Sequence, residues 1–538
     1  MYSLLFFGTI SGVGTISGVE PTGSYEFTIN TALSGTPNSF YLPLRTGSPY
    51  NYTIDWGDGV IESYNNDASR SHVYALNGSY TIKISGTFSW HVFSNGTNDN
   101  KKITAVVKNT KPISNIVSSY YGCSNLTTLG EFNPSTTSSC TDFSDAWFNC
   151  SSLELFPSID TSNGTTFSHA WFNCSSLTSF PQIDTTKGTN FSHAWFNCSG
   201  LTSFPQIDTT KGTIFTAAWY NCSDLESFPV IDTINGTTFS ATWFNCSSLE
   251  SFPQIDTTKG TIFTAAWADC SKLKSFPQID TSNGTNFDDA WANCSDLELF
   301  PSIDTSNGTT FSGTWSNCSE LAAFPTLITS KGTNFSNAWY NCSKLTSFPQ
   351  INTSSGTNFT QAWYDCSGLE SFPVIDTSKG TSFTYAWSGC SELDSFPELN
   401  TSNGTNFVGT WSNCSSLTSF PLLNTSKSTS FNGAWTDCTS LTLFPANFFD
   451  DWQTQIQQLD GCFLNTWAGC SSLTAQSVEN ILVSINVSGK SGINDINSNN
   501  EITITYNTTT GVLTTATTEA INSLKSKNWK VVINNVEI

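Results

Sequence analysis

The chain has 538 residues, enough for several modules, but only 12% of them are charged and the formal net charge at pH 7 is −22. This balance argues against nucleic acid as a partner, because phosphate binding needs clustered lysine and arginine, and it also argues against anionic membrane surfaces. No apolar run reaches the roughly 18 residues of a membrane span, so the sequence predicts no transmembrane helix and no membrane insertion.

Residues 1–21 form an apolar segment that contains the hexapeptide GTISGV twice. No lysine or arginine precedes Arg45, so the segment lacks the positive start of a secretion signal. We predict an extended strand that joins the sheet edge of the next subunit, which would build a filament head to tail. An uncleaved signal remnant and a strand folded back on its own domain stay open. The side chains predicted to mediate assembly are Tyr2, Leu4, Leu5, Phe6, Phe7, Ile10, Val13 and Ile16.

Residues 22–110 contain strand-like runs such as YNYTIDWGDGVIESY and HVYALNGSYTIKISG. The WGDG turn at residues 56–59, followed by HVYALNGSYTIKI, resembles the immunoglobulin-like sandwich of polycystic-kidney-disease (PKD) type. This resemblance implies an N-terminal β-sandwich. We expect Asp55 and Asp58 to hold the turn, with calcium binding as the alternative.

Residues 111–474 repeat a unit of 24 residues. Trp147 and Cys150 return in thirteen in-register copies through Trp435 and Cys438, and a further pair follows an insertion of eight residues. A fixed period of this length is typical of a solenoid, in which each unit buries its apolar face against its neighbours. The sequence predicts about 15 coils and a rod roughly 70 Å long.

The spacing inside the unit predicts its local structure. Four apolar positions have the i, i+3, i+4, i+7 spacing of one helix face, namely Phe143, Ala146, Trp147 and Cys150. The segment from Leu153 to Ile159 contains Pro157, which favours a short strand, and DTSNGT then predicts a tight return. Each coil is therefore expected to contain a helical turn, a strand and a return.

The frame F-x-x-A-W-x-x-C-S-x-L-x-x-F-P-x-I-D-T-S-x-G-T resembles the leucine-rich-like repeats of BspA-like bacterial surface proteins and related mycoplasma lipoproteins. The resemblance covers roughly residues 111–474. Those repeats usually carry Met and Phe where this chain has Phe143 and Trp147, so the core here is bulkier. The resemblance implies a surface-exposed protein without enzymatic activity.

Residues 475–538 complete the predicted fold. SVENILVSI and TTEAINSLKSKNW are predicted to be helices, and EITITYN and KVVINNVEI strands. A small α/β cap of this kind would cover the last coil. The predicted fold class is thus multidomain α/β: a β-sandwich, a leucine-rich-repeat-like solenoid and an α/β cap.

The chain contains 17 cysteines, and thirteen of them share one position of successive coils. Parallel stacked residues meet the distance and dihedral requirements of a disulfide poorly, so we expect a column of buried thiols. Cys123, Cys140 and Cys462 lie outside these thirteen positions and are the better candidates for a bridge.

Sequons are frequent in the repeats. They occur as NGT, in the predicted exposed return, and as NCS, after the tryptophan. If the protein is made in a secretory pathway, we expect these asparagines to carry glycans. In other settings we expect them to serve as turn formers. The candidates are Asn163, Asn235, Asn283, Asn307 and Asn403 in NGT, and Asn149, Asn173, Asn197, Asn221 and Asn245 in NCS.

No motif of hydrolases, metalloproteases, nucleotide-binding proteins or zinc sites is present, so we expect no enzyme, catalytic residue, bound metal or cofactor. Asp145, His169 and His193 fall at equivalent positions of three adjacent coils. They are the one cluster that could hold a metal, and surface variation is the interpretation we favour.

Two further rows suggest binding surfaces. Thr161 and Thr165 recur through Thr425 and Thr429, either as an ice-binding face or, as we favour, as hydroxyls bonded to the backbone. The residue after the tryptophan is aromatic in the first five full coils, which predicts an exposed interaction row: Phe148, Phe172, Phe196, Tyr220 and Phe244. We predict an extracellular structural or adhesive protein that forms a filament, with a carbohydrate- or receptor-binding adhesin as the alternative and an ice-binding protein as a remote one.

Overall fold

The structure is a computed structural model that describes residues 23–47, 50–93, 98–453, 460–493 and 498–538. An N-terminal pair of sheets is followed by a solenoid of stacked coils and a C-terminal cap. The predicted assembly strand, residues 1–21, lies outside the described residues.

Eight strands form the N-terminal sheets: β1 (Ser24–Asn30), β2 (Ser39–Leu42), β3 (Asn51–Asp55), β4 (Ile61–Tyr64), β5 (Arg70–Val73), β6 (Ser79–Thr87), β7 (Ile103–Asn109) and β8 (Thr128–Phe132). In the described ranges the main sheet has the order β4-β3-β6-β1-β7-β8, and β2 pairs with β5 in a second sheet. Alternate side chains of β1 are buried, as a period of two requires when one face meets a core. The rings of Phe27 and Phe40 meet between the two sheets at 5.8 Å.

The WGDG turn is closed by its two aspartates. Asp55 Oδ1 accepts a hydrogen bond from the Gly57 amide at 3.0 Å, and Asp58 Oδ1 accepts one from the Val60 amide at 3.1 Å. Asp58 also lies 2.8 Å from His72 Nε2. Both carboxylates are thus engaged in the turn, the role we favoured over calcium binding.

The main sheet continues into the solenoid. Strand β8 belongs to the first, degenerate coil, yet it pairs in parallel with β7, with Val106 opposite Leu129. The ladder extends further, because the Glu154 amide donates to Thr127 and the Thr178 amide donates to Glu154. The sheet therefore crosses residue 110, where the sequence had suggested a domain boundary.

The coils contain turns where the sequence predicted a helix. The amides of Ala146 and Cys150 donate to the carbonyls three residues earlier, both at 3.2 Å. The amides of Trp147 and Asn149 instead donate along the rod to the next coil, at 2.8 and 2.6 Å. A helix would direct every amide along its own axis. The prediction of a helical turn was therefore wrong, and tandem β-turns give the same inward spacing.

The predicted strand after each turn is also reduced. After the first coil, which contains β8, the described coils have isolated parallel bridges at two columns in place of strands, exemplified by Leu155–Ser179 and Thr166–Asn190. The backbone remains extended there, but each coil pairs with the next through one residue at a time. The solenoid itself, with its period of 24 residues, is present as the repeat predicted.

The interior is a stack of aromatic rings. Successive tryptophans from Trp147 to Trp467 lie parallel with ring centroids 5.2–6.1 Å apart. A second column of phenylalanines, such as Phe167 and Phe191, stacks beside it at 5.6 Å. Phe156 and its equivalents meet the tryptophans edge to face, at 4.7 Å for Trp147. All of these side chains are buried, so each coil completes the core of its neighbours.

The cap comprises α1 (Ala475–Val487), β9 (Glu501–Ile504), α2 (Thr515–Ser526), β10 (Lys530–Ile533) and β11 (Val536–Glu537). The helices fall in the two stretches predicted to be helical. Thr474 caps α1, because its side chain accepts a hydrogen bond from the Ser477 amide. The Ser477 hydroxyl in turn donates to the carbonyl of Thr442, in the last regular coil, at 2.9 Å. The Trp467 amide donates to Thr503 at 3.1 Å, and so β9 covers the final coil.

Candidate interaction surface

The predicted aromatic row is continuous. Its rings stack face to face from Phe148 to Phe244 with centroids 4.4–4.6 Å apart, and Tyr121 of the first coil extends the row at 4.5 Å. Each ring is partly buried, because its neighbours cover both faces. The edges of the rings therefore form the accessible surface, and only the two ends of the row offer an open face.

The same column changes character after Phe244. The next three coils carry Ala268, Ala292 and Ser316, then Tyr340 and Tyr364 stack at 4.9 Å, and small residues follow through Ala468. Beside the three small residues lies a groove of about 340 Å³, lined by Asn245, Ser247, Asp269, Ser271, Asn293, Ser295 and Asn317. The face thus alternates between aromatic ridges and depressions.

Two columns of positive φ flank this face. The third residue of each turn has φ of 54° at Asp145 and 59° at Asn149, and the equivalents in later coils match them. The second column contains only Asn, Asp or Gly, the residues that tolerate the left-handed region best. Sequence reasoning missed this signal, although it explains why an asparagine precedes the cysteine.

The NCS asparagines form a ladder along the rod. Asn173 Nδ2 donates to Asn149 Oδ1, and Asn197, Asn221 and Asn245 each donate in the same way to the preceding asparagine. The ladder stops at Asp269, which has no amide to donate, and resumes when Asn293 donates to Asp269 at 2.7 Å. These five candidates for glycosylation thus have a structural role in joining coils.

The NGT asparagines also join coils. Each donates from Nδ2 to a backbone carbonyl of the preceding coil: Asn163 to Ser138 at 2.8 Å, Asn235 to Thr210 at 2.7 Å, Asn283 to Thr258 at 2.7 Å, Asn307 to Ser282 at 2.6 Å and Asn403 to Ser378 at 2.7 Å. A lysine of the next coil donates to the side-chain oxygen of four of them, as Lys259 does to Asn235 at 2.6 Å. They lie in the return, at the surface.

Both threonine rows are bonded to the backbone. Thr161 is buried and donates to the Asp184 carbonyl of the next coil at 2.6 Å. Thr165 is exposed and donates to the Thr141 carbonyl of the preceding coil at 3.0 Å. Their hydroxyls are the coil-joining groups that we favoured over an ice-binding face.

The cysteine column consists of free thiols. From Cys174 to Cys438 each Sγ donates to the carbonyl of the tryptophan 27 residues earlier, as Cys174 does to Trp147 at 3.3 Å, and Cys150 donates to the Tyr120 carbonyl. Burial raises the pKa of the Cys174 thiol to about 12. Cys123, Cys140 and Cys462 are buried free thiols too, so the bridge suggested for them is wrong. Cys140 donates instead to the Ile113 carbonyl at 3.2 Å.

Asp145, His169 and His193 lie in the first positive-φ column. The two imidazoles stack at 4.7 Å, and each Nδ1 lies within 2.9 Å of the neighbouring serine hydroxyl. Burial and the adjacent His169 lower the pKa of His193, while burial raises that of Asp145. In the part of the chain that the structure describes, no group of three or more His, Cys, Asp or Glu side chains is arranged to hold a metal. No helix among the same residues is long and apolar enough to cross a membrane.

A buried polar cluster at the junction of sandwich and solenoid was not foreseen. His91 stacks on Tyr25 at 5.1 Å and meets Tyr120 edge to face at 5.1 Å. Both imidazole nitrogens and Ser119 Oγ are buried, and no described residue hydrogen-bonds to them; the hydroxyls of Tyr25 and Tyr120 are buried beside them. Burial lowers the pKa of His91 to about 3.

No protein-family model matches the sequence, and no curated protein matches it either. Among solved structures, the chain is similar to the plant peptide hormone receptor RGFR1 in complex with RGF2, with 14% identity, 70% of each chain covered and a TM-score of 0.20. It is also similar to TLR13 in the TLR13–ssRNA13 complex, with 12% identity, 68% of this chain and 61% of that chain covered, and a TM-score of 0.15. Similarities with TM-scores this low support no argument about the coils. Their arrangement is therefore described only from the hydrogen bonds and ring contacts given above.

Proposed function

We propose that the chain is a non-enzymatic structural or adhesive protein of the extracellular space or cell surface, in which the solenoid is a rigid rod. The observation that carries this proposal is the unbroken core. Parallel tryptophans run from Trp147 to Trp467, and Tyr120 continues the stack toward the sandwich at 6.2 Å. Bending the rod would open ring contacts and backbone bonds in every coil, so the fold favours a role in fixed distance and display.

Both ends of the rod are covered. The sheet of the sandwich continues into the first coil, and β9 with α1 closes the last one. Coils of two copies therefore have no bare ends to stack on each other. Assembly needs another contact, and the predicted N-terminal strand supplies one.

The acceptor for such a strand would be an open sheet edge. Among the described residues, β4 is the outer strand of the main sheet and pairs only with β3. Ile61 of β4 is exposed at 63%. An added strand from a neighbouring copy would satisfy the outer backbone groups and cover this side chain, which supports head-to-tail assembly through residues 1–21.

Imaging the purified protein tests the proposal. We expect the full chain to form filaments by electron microscopy, with stiff segments roughly 70 Å long, and the variant lacking residues 1–20 to remain as single rods. Circular dichroism identical to that of the full chain controls for folding of the truncated variant. Filaments that persist without residues 1–20, or a full chain that is only monomeric, would contradict assembly through this strand, and flexible particles would contradict the rod.

An adhesin is the second candidate, and the aromatic row favours it. A row of partly accessible ring edges from Tyr121 to Phe244 is an apolar strip that a partner could cover. Glycans on the NGT asparagines would lie on the return, in a different part of the coil. Glycan-array and surface-binding assays with the strand-deleted monomer distinguish adhesion from a purely structural role.

A further inference from the structure

We propose that two copies of this chain form an antiparallel dimer through the face that carries the aromatic row, with a two-fold axis at the coil of Ser316. This contact is separate from the head-to-tail contact proposed above and does not depend on it. The order of large and small side chains along the face indicates that the partner is a second copy of this chain.

The order of side chains in the column after the tryptophan is self-complementary. A phenyl or phenol ring extends beyond the Cβ atom at which alanine ends, so aromatic coils stand above the others. Ala268, Ala292, Ser388 and Ser412 are buried, which marks the low stretches, and the groove of about 340 Å³ lies at one of them. Counted outward from Ser316 over six coils in each direction, every aromatic coil corresponds to a coil with a smaller residue, while Phe148, a seventh coil out, has no counterpart.

Reversing one copy about Ser316 brings these coils together. Ala292 then faces Tyr340, Ala268 faces Tyr364, and Phe244 faces Ser388. Farther out, Tyr220 faces Ser412, Phe196 faces Thr436 and Phe172 faces Ala468. An isologous interface needs such a match, because each surface element meets the element at the opposite distance from the axis.

The neighbouring positive-φ column is compatible with the same axis. On reversal, Tyr385 faces Ala241 and His193 faces Gly433, while Asp289 faces Asn337 and Ala217 faces Gly409. Tyr385 is 39% exposed, so its ring is accessible to a second copy. The largest side chain of this column thus meets a small one about the same axis.

The length of the face sets an upper bound on the area of the dimer contact. Thirteen coils at about 4.8 Å give a strip roughly 60 Å long, and five successive residues would span about 14 Å only if they were extended. Because these residues form tandem turns, the contact is smaller than about 800 Å² per copy, the size of a standard specific interface.

One pair opposes the arrangement, and it provides a test. Asp269 would face Asp365 of the second copy, and burial already raises the pKa of the Asp365 carboxyl. Two facing carboxylates repel each other, so Asp269→Asn should strengthen the dimer by roughly twofold to tenfold. A weaker dimer in this variant would contradict the proposed register.

Cross-linking at the axis is the direct experiment. Ser316→Cys places one accessible thiol on the proposed axis, while the native thiols are buried. A short bismaleimide should join two copies into a species of twice the mass on a denaturing gel. Ala322→Cys, exposed in the same coil on a different face, is the matched control and should not cross-link. Head-to-tail neighbours hold their Ser316 residues far apart, so filament formation does not produce this product.

A size exchange then tests the antiparallel pairing, with the Ser316→Cys chain as background. Ala292→Phe should reduce the cross-linked yield about tenfold or more, because the new ring meets Tyr340 of the partner twice in each dimer. Tyr340→Ala combined with Ala292→Phe restores one large and one small residue at each contact and should recover most of the yield. Ala322→Phe is the control for an added ring outside the interface.

The outcomes separate the alternatives. No cross-link at Ser316→Cys overturns the dimer. A cross-link that the exchange fails to recover overturns the antiparallel register, since in a parallel dimer Ala292 would face Ala292. Circular dichroism and thermal unfolding of each variant confirm that the loss of yield does not come from loss of the fold.

Discussion

Backbone conformation decides which residues the outer columns accept. At Ala241 the backbone has φ of 51°, in the left-handed region, where a Cβ atom lies too close to the following carbonyl oxygen. Ala217 and Ala265 occupy the same position in the coils on either side. Some coils place Asn or Gly there, as at Asn337 and Gly313, which tolerate this region better, so the backbone is locally strained at the alanines.

Ala241→Gly should therefore raise the free energy of unfolding by about 0.5–1 kcal/mol, because relief of the strain exceeds the added chain entropy of glycine. Ala322→Gly is the control: this residue is exposed without positive φ, and the change should lower stability by up to about 1 kcal/mol. Urea denaturation of both variants measures the difference. Equal signs for the two changes would contradict the assignment of strain.

The tryptophan column is the main source of stability at the residue scale. Trp291 is fully buried and stacks on Trp267 at 5.3 Å and on Trp315 at 6.1 Å. Trp291→Ala should cost about 3–5 kcal/mol, since it leaves a cavity that touches three coils. Thr309 is exposed and donates one hydrogen bond at 3.0 Å, so Thr309→Ala should cost about 1 kcal/mol. Similar losses of thermal stability in the two variants would mean that the inner and outer faces are wrongly assigned.

The cysteine column should be chemically inert while the protein is folded. The thiolate is the reactive form, and burial raises the pKa of Cys174 and Cys222 to about 12. Iodoacetamide at pH 8 should therefore modify few of the 17 thiols in the native protein and all of them after denaturation without reductant. Mass spectrometry counts the labels. Thiols that stay unlabelled after denaturation, with masses two units lower per pair, would contradict the free-thiol column.

At the scale of the element, the 24-residue coil shows what the sequence can specify. The inward residues, from Phe143 to Ile159, and the register of the stack follow from hydrophobic spacing, because burial requires the same side chains whatever the backbone does. The prediction of a helix was wrong, because tandem turns direct Phe143, Ala146, Trp147 and Cys150 to the same side of the chain as a helix would. The distinguishing signal was the column of Asn, Asp and Gly beginning at Asn149, which a helix would not require.

The candidate surface also has features that the sequence predicts and features that it does not. Phe148 and its equivalents could be assigned to the outer face from the repeat alone, because their neighbours Trp147 and Cys150 point inward. The asparagine ladder could not, since it depends on a distance between coils that no single repeat contains. The polar cluster around His91 was also hidden, because it forms where two differently built elements meet.

The junction between sandwich and solenoid should be sensitive to acid. His91 is packed among Tyr25, Trp90 and Tyr120, with Arg45 near enough to disfavour a second positive charge. Its pKa is lowered to about 3 in the folded protein, against 6.5 for an ordinary histidine. Between these two values the unfolded chain binds more protons. The contribution of His91 to the free energy of unfolding should therefore be complete above pH 6.5 and should decrease as the pH is lowered toward 3.

Denaturation at pH 7 and pH 5 measures this slope. His91→Phe removes the titrating group and keeps an aromatic ring, so the variant should lose less stability between the two pH values than the parent. His169→Gln, on the outer column, is the control for removal of a histidine elsewhere. An unchanged slope in His91→Phe would show that the acid sensitivity comes from other groups.

At the scale of the whole molecule, the stability of the rod is a sum over coils and the contacts between them. Each coil donates and accepts the same backbone bonds as its neighbours, and its Trp and Phe rings stack on both sides. The covered ends make the terminal coils special, while those in the middle are interchangeable. Rod length is therefore a quantity that can be changed without changing the kind of fold.

Removal of whole coils tests this directly. Deleting residues 201–272 takes out three units and joins Gly200 to Leu273, which restores the CSxL sequence of an intact repeat. The variant should fold with the same cap and sandwich, and its rod should be shorter by about 14 Å in small-angle scattering or electron microscopy. Deleting residues 201–236 removes one and a half units and is the matched control. It would place the end of a return and a turn where the extended segment is needed and set Phe and Trp out of register with the stack, so we expect it to be unfolded or aggregated. If both deletions gave equally stable rods, the stacked 24-residue coil would not be the unit that holds this molecule together.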